Sequence, residues 1–355
     1  MSAYAAENRL RRWFTGEEHT NMKLTIPSNA EKILQVLNEN GHEAYVVGGC
    51  VRDSILDRNP NDWDITTSAS PYQVKELFPR TIDTGLQHGT VTVMMDKEGY
   101  EVTTYRVDGE YEDGRHPKQV TFTSSLEEDL KRRDFTINAM AYHPKEGLVD
   151  LFHGMDDMRN KIIRCVGDPL ERFYEDALRI MRAVRFSAQL GFEIEAETKA
   201  GISRLTPNLR NVSAERIQAE LVKLLVSPHP DYLRVAYETG ITREFLPEFD
   251  LCMETEQNTP YHCFTVGEHI LHSLLYVEAD KVLRLTMLLH DIAKPVMKTT
   301  DENGRDHFKM HAVKGEEMSK QILRRLKFDN DTIAQVSRLI RYHDDRPEGQ
   351  MKAVR

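Results

Sequence analysis

GGCVRDSILDRNPNDWDITT, Gly48 to Thr67, is the stretch on which the reading of the fold turns. It follows AYVV, an apolar run with the β-branched content of a short buried strand, so two glycines stand where that strand ends. At its other end Asp62 and Asp64 lie one residue apart before ITT, and DWDITT reads as a second strand. Alternate residues of an extended chain share a face, which brings the two like charges together. Such repulsion calls for a cation. Magnesium takes hard oxygen ligands in octahedral geometry, and two carboxylates on one strand face suit one or two such ions set against a triphosphate. Gly48 and Gly49 remove side chains where backbone must approach phosphate oxygens, and Arg52 adds a cation.

Working outward, the apolar spacing from Ala30 to Leu37 predicts a helix, and TVTVMM and YEVTTYR add two more strands. The first 150 residues therefore read as a mixed α/β domain on a small sheet. Residues 1–22 carry no clear amphipathic pattern and read as an extension, with Met22 a second start site. After LVDLFHG the strand signals fade, and from about Arg172 the period is helical, broken at LTPNL, SPHPDY and LPEF. The fold class is α+β, with a mixed-sheet head and a helical remainder. The chain ends at QMKAVR just after a charged HDDRPEG turn, so it reads as a C-terminally truncated fragment.

Composition narrows the function. The 355 residues allow two or three domains, and a formal net charge of −10 argues against a protein that coats nucleic acid nonspecifically. Basic residues nonetheless gather locally, at Lys131–Arg133 and at Arg172, Arg179, Arg182 and Arg185. No apolar run approaches the roughly 20 residues of a membrane-spanning helix, and no secretory signal opens the chain, so no membrane is expected and the address is cytoplasmic. Four cysteines without CxxC spacing indicate free thiols.

A lone DxD is a weak sign, since solvated acids often decorate a strand end; GGxVRD followed by DxD is far more specific. This string resembles the class II nucleotidyltransferases of the CCA-adding enzyme and bacterial poly(A) polymerase family, whose head has the DNA polymerase β type fold. The resemblance continues in order. In YEVTTYRVDGEYEDGRHP the third acidic position of the family falls on Glu101, followed by a loop over Arg106 to Pro117. LEEDLKRRDFTINAMA matches RRDFxxNA, which implies that Arg133 contacts nucleotide phosphates or ribose while Asp134 and Asn138 hold the turn. Gly49 and Arg52 join Arg133 in gripping the triphosphate and sugar.

ERFYEDALRIMRAVRFSA reads as one helix. Ala177, Ile180, Met181, Val184 and Ala188 form an apolar stripe, which leaves Asp176, Arg179, Arg182 and Arg185 on flanking and opposite faces as residues that do not pack. EDALR matches the EDxxR motif of the family. By that resemblance Asp176 and Arg179 read the Watson–Crick edge of the incoming nucleotide, while Arg182 and Arg185 meet triphosphate or primer phosphate. Cytosine and adenine each offer an amino donor beside a ring-nitrogen acceptor, which an aspartate and an arginine complement. Uracil and guanine put a carbonyl where the amino group belongs, at a cost of up to about 3 kcal/mol for a buried mismatch.

In the C-terminal part, His269, His290 and Asp291 resemble the HD superfamily, whose members bind divalent metals for phosphoester hydrolysis; His311 and His343 or Asp344 complete the set. The alternative is that these histidines are structural and the domain binds RNA. The resemblance divides the chain into an extension, 1–22, a polymerase β-type head, 23–155, a helical neck and RNA-binding region, 156–255, and an HD-type domain, 256–355. It implies a template-independent nucleotidyltransferase adding CCA to tRNA 3′ ends from CTP and ATP. Asp62 and Asp64 would hold two Mg2+, with Glu101 a third catalytic acid, and the HD-type domain offers a place for a second divalent metal. A poly(A) polymerase and a CC-only or A-only enzyme share these motifs. From another class, the helical part would be a phosphohydrolase and the head an RNA-binding module.

Overall fold

The computed structural model describes residues 22–108, 120–259 and 263–345, in two compact units. One unit runs to Asp176 and takes in Glu193–Thr198; the other comprises Ala177–Phe192 and the chain from Lys199 onward. The first thus continues past residue 155, where the sequence suggests the head ends. Residues 1–21 of the expected extension and residues 109–117 of the expected loop lie outside the described residues.

In the first unit the expected helix forms as α1, Ser28–Glu39, and buries Ala30, Ile33, Leu34 and Leu37, one face at spacings of three and four. The strands are β1 (Ala44–Val47), β2 (Ile65–Thr67), β3 (Thr81–Gly85), β4 (Thr90–Met95), β5 (Glu98–Thr104), β6 (Arg106–Asp108), β7 (Val120–Phe122), β8 (Met140–His143) and β9 (Gly147–Asp150). A seven-stranded sheet has the order β3-β4-β5-β2-β1-β8-β9; β2 and β5 are its parallel pair, with Ile65 opposite Val102, and β6 and β7 form a separate ribbon. The sheet is mixed, as expected, and the fold class is α+β.

One boundary is corrected. DWD precedes strand β2, which starts only at Ile65. Pro60 lacks a backbone donor and Asn and Asp are poor strand formers, so the ladder begins with the β-branched residues. The Val47 amide still donates to the Asp64 carbonyl at 3.0 Å, which holds Asp64 at the end of β1.

The short helix α2, Gly49–Ile55, follows β1 directly. Helix α3, Leu126–Lys131, is capped by Ser125, whose hydroxyl accepts from the Glu128 amide at 3.3 Å. Leu126 and Leu130 of α3 join Tyr45, Val47, Tyr105 and Ala141 in the core. Complete burial of Leu130, worth about 1.5–3 kcal/mol, docks α3 and thereby fixes the residues beside it.

The stretch expected as one helix is two: α4, Pro169–Glu175, in the first unit and α5, Leu178–Leu190, in the second. Asp176 between them is extended, at φ −143° and ψ 105°. Asp is a weak helix former because its short carboxylate competes for backbone donors, so a break there is inexpensive. Glu175 pairs with Arg172 at 2.6 Å within α4.

The second unit is helical apart from a ribbon of Thr299–Thr300 with Asp306–His307. Its elements used below are α6 (Ala214–Leu225), α7 (Val266–Leu274), α8 (Lys281–Leu289), α9 (His311–Arg325) and α10 (Asn330–Tyr342). Among the described residues no helix is long and apolar enough to cross a membrane. All four cysteines are free thiols, as expected.

Candidate active site

Asp64 is the hub of the first unit's acidic cluster. Parallel pairing of Ile65 with Val102 sets Asp64 beside Glu101, and on β5 Glu101 points outward between buried Tyr100 and Val102. Asp64 is exposed at the surface, yet desolvation by the surrounding protein pushes its carboxyl above its ordinary range; the negative charges of Glu101 and Asp62 push it further, while Arg133 opposes them. The three acids named from sequence are therefore electrostatically coupled around the Asp64 carboxylate. Among the described residues their oxygens do not gather within 4.8 Å of one another as a group of three, but the chemistry of a hard, all-oxygen donor set whose members repel one another fits a divalent cation such as Mg2+.

The glycine turn lies alongside. Gly48 has φ +80°, a conformation that L side chains rarely adopt, and a Cβ there would lie 3.1 Å from Arg133 Nη1. Arg133 Nη2 reaches Asp129 Oδ2 at 3.5 Å, and the buried Arg133 Nε makes no hydrogen bond. Arg52 is buried and bonds Asp53 through Nε and Nη2, at 2.9 and 3.0 Å, and donates from Nη1 to Asn138 Oδ1 at 2.6 Å. Asp134 Oδ1 accepts from the Phe135 amide at 2.8 Å and from Asn138 Nδ2 at 3.2 Å, so these two residues hold the turn. Gly49 opens α2, where a Cβ would sit 3.7 Å from Arg52 Nη2.

Asp176 closes the first unit, and Arg179, Arg182 and Arg185 belong to α5 in the second. The expectation that none of these arginines packs is corrected at Arg185. Its side chain is 8% exposed, Nε donates to the buried Glu220 of α6 at 2.7 Å, Nη1 to Gln189 at 3.0 Å, and the guanidinium lies 3.6 Å over the Phe186 ring. A buried charge needs such a partner, and Glu220 supplies it from another helix, which a helical wheel does not display.

The second unit brings His269 (α7), His290 and Asp291 (after α8), His311 (start of α9) and His343 and Asp344 (after α10) into one cluster. Among the described residues, the groups of three or more ligand atoms within 4.8 Å of one another are His269, His290, Asp291 and Asp291, His311, His343. Asp291 belongs to both: Oδ2 faces His269 and His290 at 3.5 and 3.3 Å, and Oδ1 faces His311 and His343 at 3.3 and 3.7 Å. Three rings are oriented alike, with Nδ1 of His290, His311 and His343 on the carbonyls of Met287, Phe308 and Ile340 at 2.7, 2.8 and 2.6 Å, which turns each Nε2 inward. Asp344 Oδ2 lies 3.1 Å from His311 Nε2.

Burial alone would raise the Asp291 carboxyl, but His290, His311 and His343 hold it well below its ordinary range. Oδ2 is buried without a well-aligned hydrogen bond, with Lys294 Nζ 2.8 Å away as a charge partner. Convergent imidazole nitrogens about a shared carboxylate fit a divalent metal, with the cluster opening on a cavity of about 420 Å³.

Sequence reasoning passes over Asp129 and Lys294. Each carries a local signal: Asp129 precedes Arg132 and Arg133 by three and four residues, and Lys294 follows Asp291 by three.

Comparison with known proteins gives three family matches along the chain. The Poly A polymerase head domain family matches residues 44–164, the family described as a probable RNA and SrmB-binding site of polymerase A matches 191–253, and the HD domain family matches 260–354. The CCA-adding enzyme of Lactobacillus helveticus is 55% identical over 221 residues, 62% of this chain and 55% of that protein. The CCA-adding enzyme of Enterococcus faecalis is 51% identical over 209 residues, 58% of this chain and 52% of that protein. The chain thus spans about half the length of the curated relatives it matches. The crystal structure of the Bacillus stearothermophilus CCA-adding enzyme in complex with CTP is 36% identical, covers 90% of this chain and 70% of that one, and superimposes with a TM-score of 0.67.

Proposed function

The chain belongs to the CCA-adding enzyme family, and from that premise we propose that it is a template-independent tRNA nucleotidyltransferase adding CCA to tRNA 3′ ends from CTP and ATP. The observation that carries the reading is the electrostatic coupling of Asp62 and Glu101 to Asp64, beside a glycine turn that faces Arg133. These acids would hold two Mg2+, which when bound acidify the primer 3′-hydroxyl and neutralise the departing pyrophosphate. Asp62, Asp64 and Glu101 orient the reacting oxygens. Gly48 and Gly49 let backbone approach the phosphates, and Arg133, with Arg52 behind it, bears on the triphosphate and sugar. Asp176 would accept from the exocyclic amine of cytosine or adenine and Arg179 would donate to the ring nitrogen, with Arg182 assigned to phosphate by the family resemblance.

The test supplies tRNA transcripts ending before the first C, after C and after CC, with each of the four labelled nucleotides. Products of defined length ending in CCA support the proposal. Long adenylate tracts would make the chain a poly(A) polymerase, stalling after CC or adding A alone would make it a partial enzyme, and no incorporation at all would overturn the reading.

A second activity is favoured by the inward-turned histidines around Asp291. We propose that this cluster holds a divalent metal and hydrolyses phosphoesters. The metal would supply a bound water acidic enough to attack phosphorus, while the Nδ1 bonds to backbone carbonyls keep the rings aimed. Release of phosphate from a generic aryl phosphate by metal-loaded protein, lost in Asp291→Asn, checks it.

A further inference from the structure

Asp129 touches none of the groups expected to bind metal except through Arg133, yet its relative exposure is 0%. An acid so enclosed stays charged only if its partners outweigh the loss of water. Burial raises the Asp129 carboxyl, and Arg132, Arg133 and Thr66 bring it below its ordinary range.

Each contact leads to a different part of the first unit. Thr66, two residues after Asp64, donates its hydroxyl to Oδ2 at 2.9 Å. The Arg106 amide, at the base of the β6–β7 ribbon, donates to Oδ1 at 3.4 Å. Arg132 makes the short pair, Nη2 and Nε to Oδ1 at 2.9 and 3.1 Å, whereas Arg133 reaches Oδ2 only at 3.5 Å. One carboxylate thus faces two guanidiniums. The tight bonds are with Arg132; Arg133, held more loosely, aims Nη1 at the glycine turn and acts on Asp64 as well.

We infer that Asp129 is a positioning residue of the nucleotide site: it holds Arg133 against Gly48, in register with the strand that follows Asp64, and so aims that arginine at the triphosphate. The inference rests on reading the first unit as a nucleotidyltransferase. It differs from a purely structural role in one respect. Loss of the carboxylate charge should weaken the hold on nucleotide triphosphate specifically, because Arg133 and not the sheet loses its guide.

The experiment uses the full chain and steady-state incorporation of CTP and ATP into tRNA transcripts, with Tm measured for each variant. Asp129→Asn keeps the shape and the Thr66 bond but removes the charge; it should raise KM for both nucleotides about tenfold, with kcat changed less than about threefold and KM for tRNA unaltered. Thr66→Val loosens the same carboxylate from the strand side and should raise nucleotide KM about threefold. Asp129→Glu should recover part of the loss. A wild-type chain that incorporates nothing overturns the functional reading, and this inference with it. An active wild type with a folded Asp129→Asn variant of normal nucleotide KM, or with both substrates' KM raised together, overturns the inference alone. If Asp129→Asn does not fold, Thr66→Val decides: a raised nucleotide KM supports the inference and an unchanged one overturns it.

Discussion

Asp64 in the first unit is exposed and Asp291 in the second is buried, and their carboxyls move in opposite directions from the ordinary value. Desolvation raises each; the neighbours decide the outcome. Asp64 has Glu101 and Asp62 for company and moves up. Asp291 is ringed by histidines and moves down. An acid-only cluster suits a hard ion that arrives with its phosphates, whereas imidazoles locked by backbone carbonyls suit a resident metal.

The largest test of that contrast is separation of the two regions. Asp64→Ala should reduce nucleotide incorporation by about 10⁴-fold, while metal bound at the Asp291 cluster, measured by elemental analysis, remains. Asp291→Asn should do the reverse, emptying the second unit's cluster and sparing incorporation. Loss of both properties in either variant breaks the comparison.

Asp176 sharpens it, being an acid expected to act by hydrogen bonding alone. Asp176→Ala should leave the magnesium dependence of incorporation unchanged and erode discrimination against UTP by about 10²-fold, read from competing labelled nucleotides. A shifted magnesium optimum instead would place Asp176 with the metal ligands. Gly48→Ala probes the turn. The added Cβ meets Arg133 in a left-handed backbone conformation, which costs about 1–2 kcal/mol of strain, and nucleotide KM should rise about tenfold with metal content at Asp291 unaltered.

The smallest effect is on stability, measured with chelator present. Because the folded-state value of Asp64 is raised, the folded chain binds the proton more tightly, and stability falls as pH climbs from the unfolded value to the folded one. The cost is carried at neutral pH, but Asp64 is exposed and water screens most of it, so Asp64→Asn should raise Tm there by less than about 1 °C. Asp291 has a lowered folded-state value, so its contribution is present above the unfolded value and lost as pH falls through the folded one. Asp291→Asn should therefore lower Tm at neutral pH by about 2–4 °C. Shifts of the same sign would show that the two clusters do not differ in the way their neighbours imply.

Motifs confined to a few consecutive residues were legible without coordinates. The strand, glycine turn and paired acids each depend on local backbone geometry, and the structure departs from that reading only in starting β2 at Ile65. The turn bonds of Asp134 and Asn138 are likewise local. Longer-range features were less visible. Arg185 looked free on a helical wheel because its partner, Glu220, is 35 residues away on another helix. Asp129 escaped notice because Ser125 caps the same helix and a row of acids in a first turn is ordinary. The break at Asp176 went unseen because apolar periodicity continues on both sides of it.

The amino-acid order by itself determined the sheet-bearing head, the helical remainder, the acids at Asp62, Asp64 and Glu101, and the histidines of the second unit, since hydrophobic period and short-range spacing are written along the chain. Only the tertiary structure decided the directions in which Asp64 and Asp291 shift, that Asp291 is shared by two groups of ligands, and that Asp129 links Thr66, Arg106, Arg132 and Arg133. Those properties depend on which charges meet across long sequence separations and how little water remains between them, and neither distance nor desolvation is encoded at any single position.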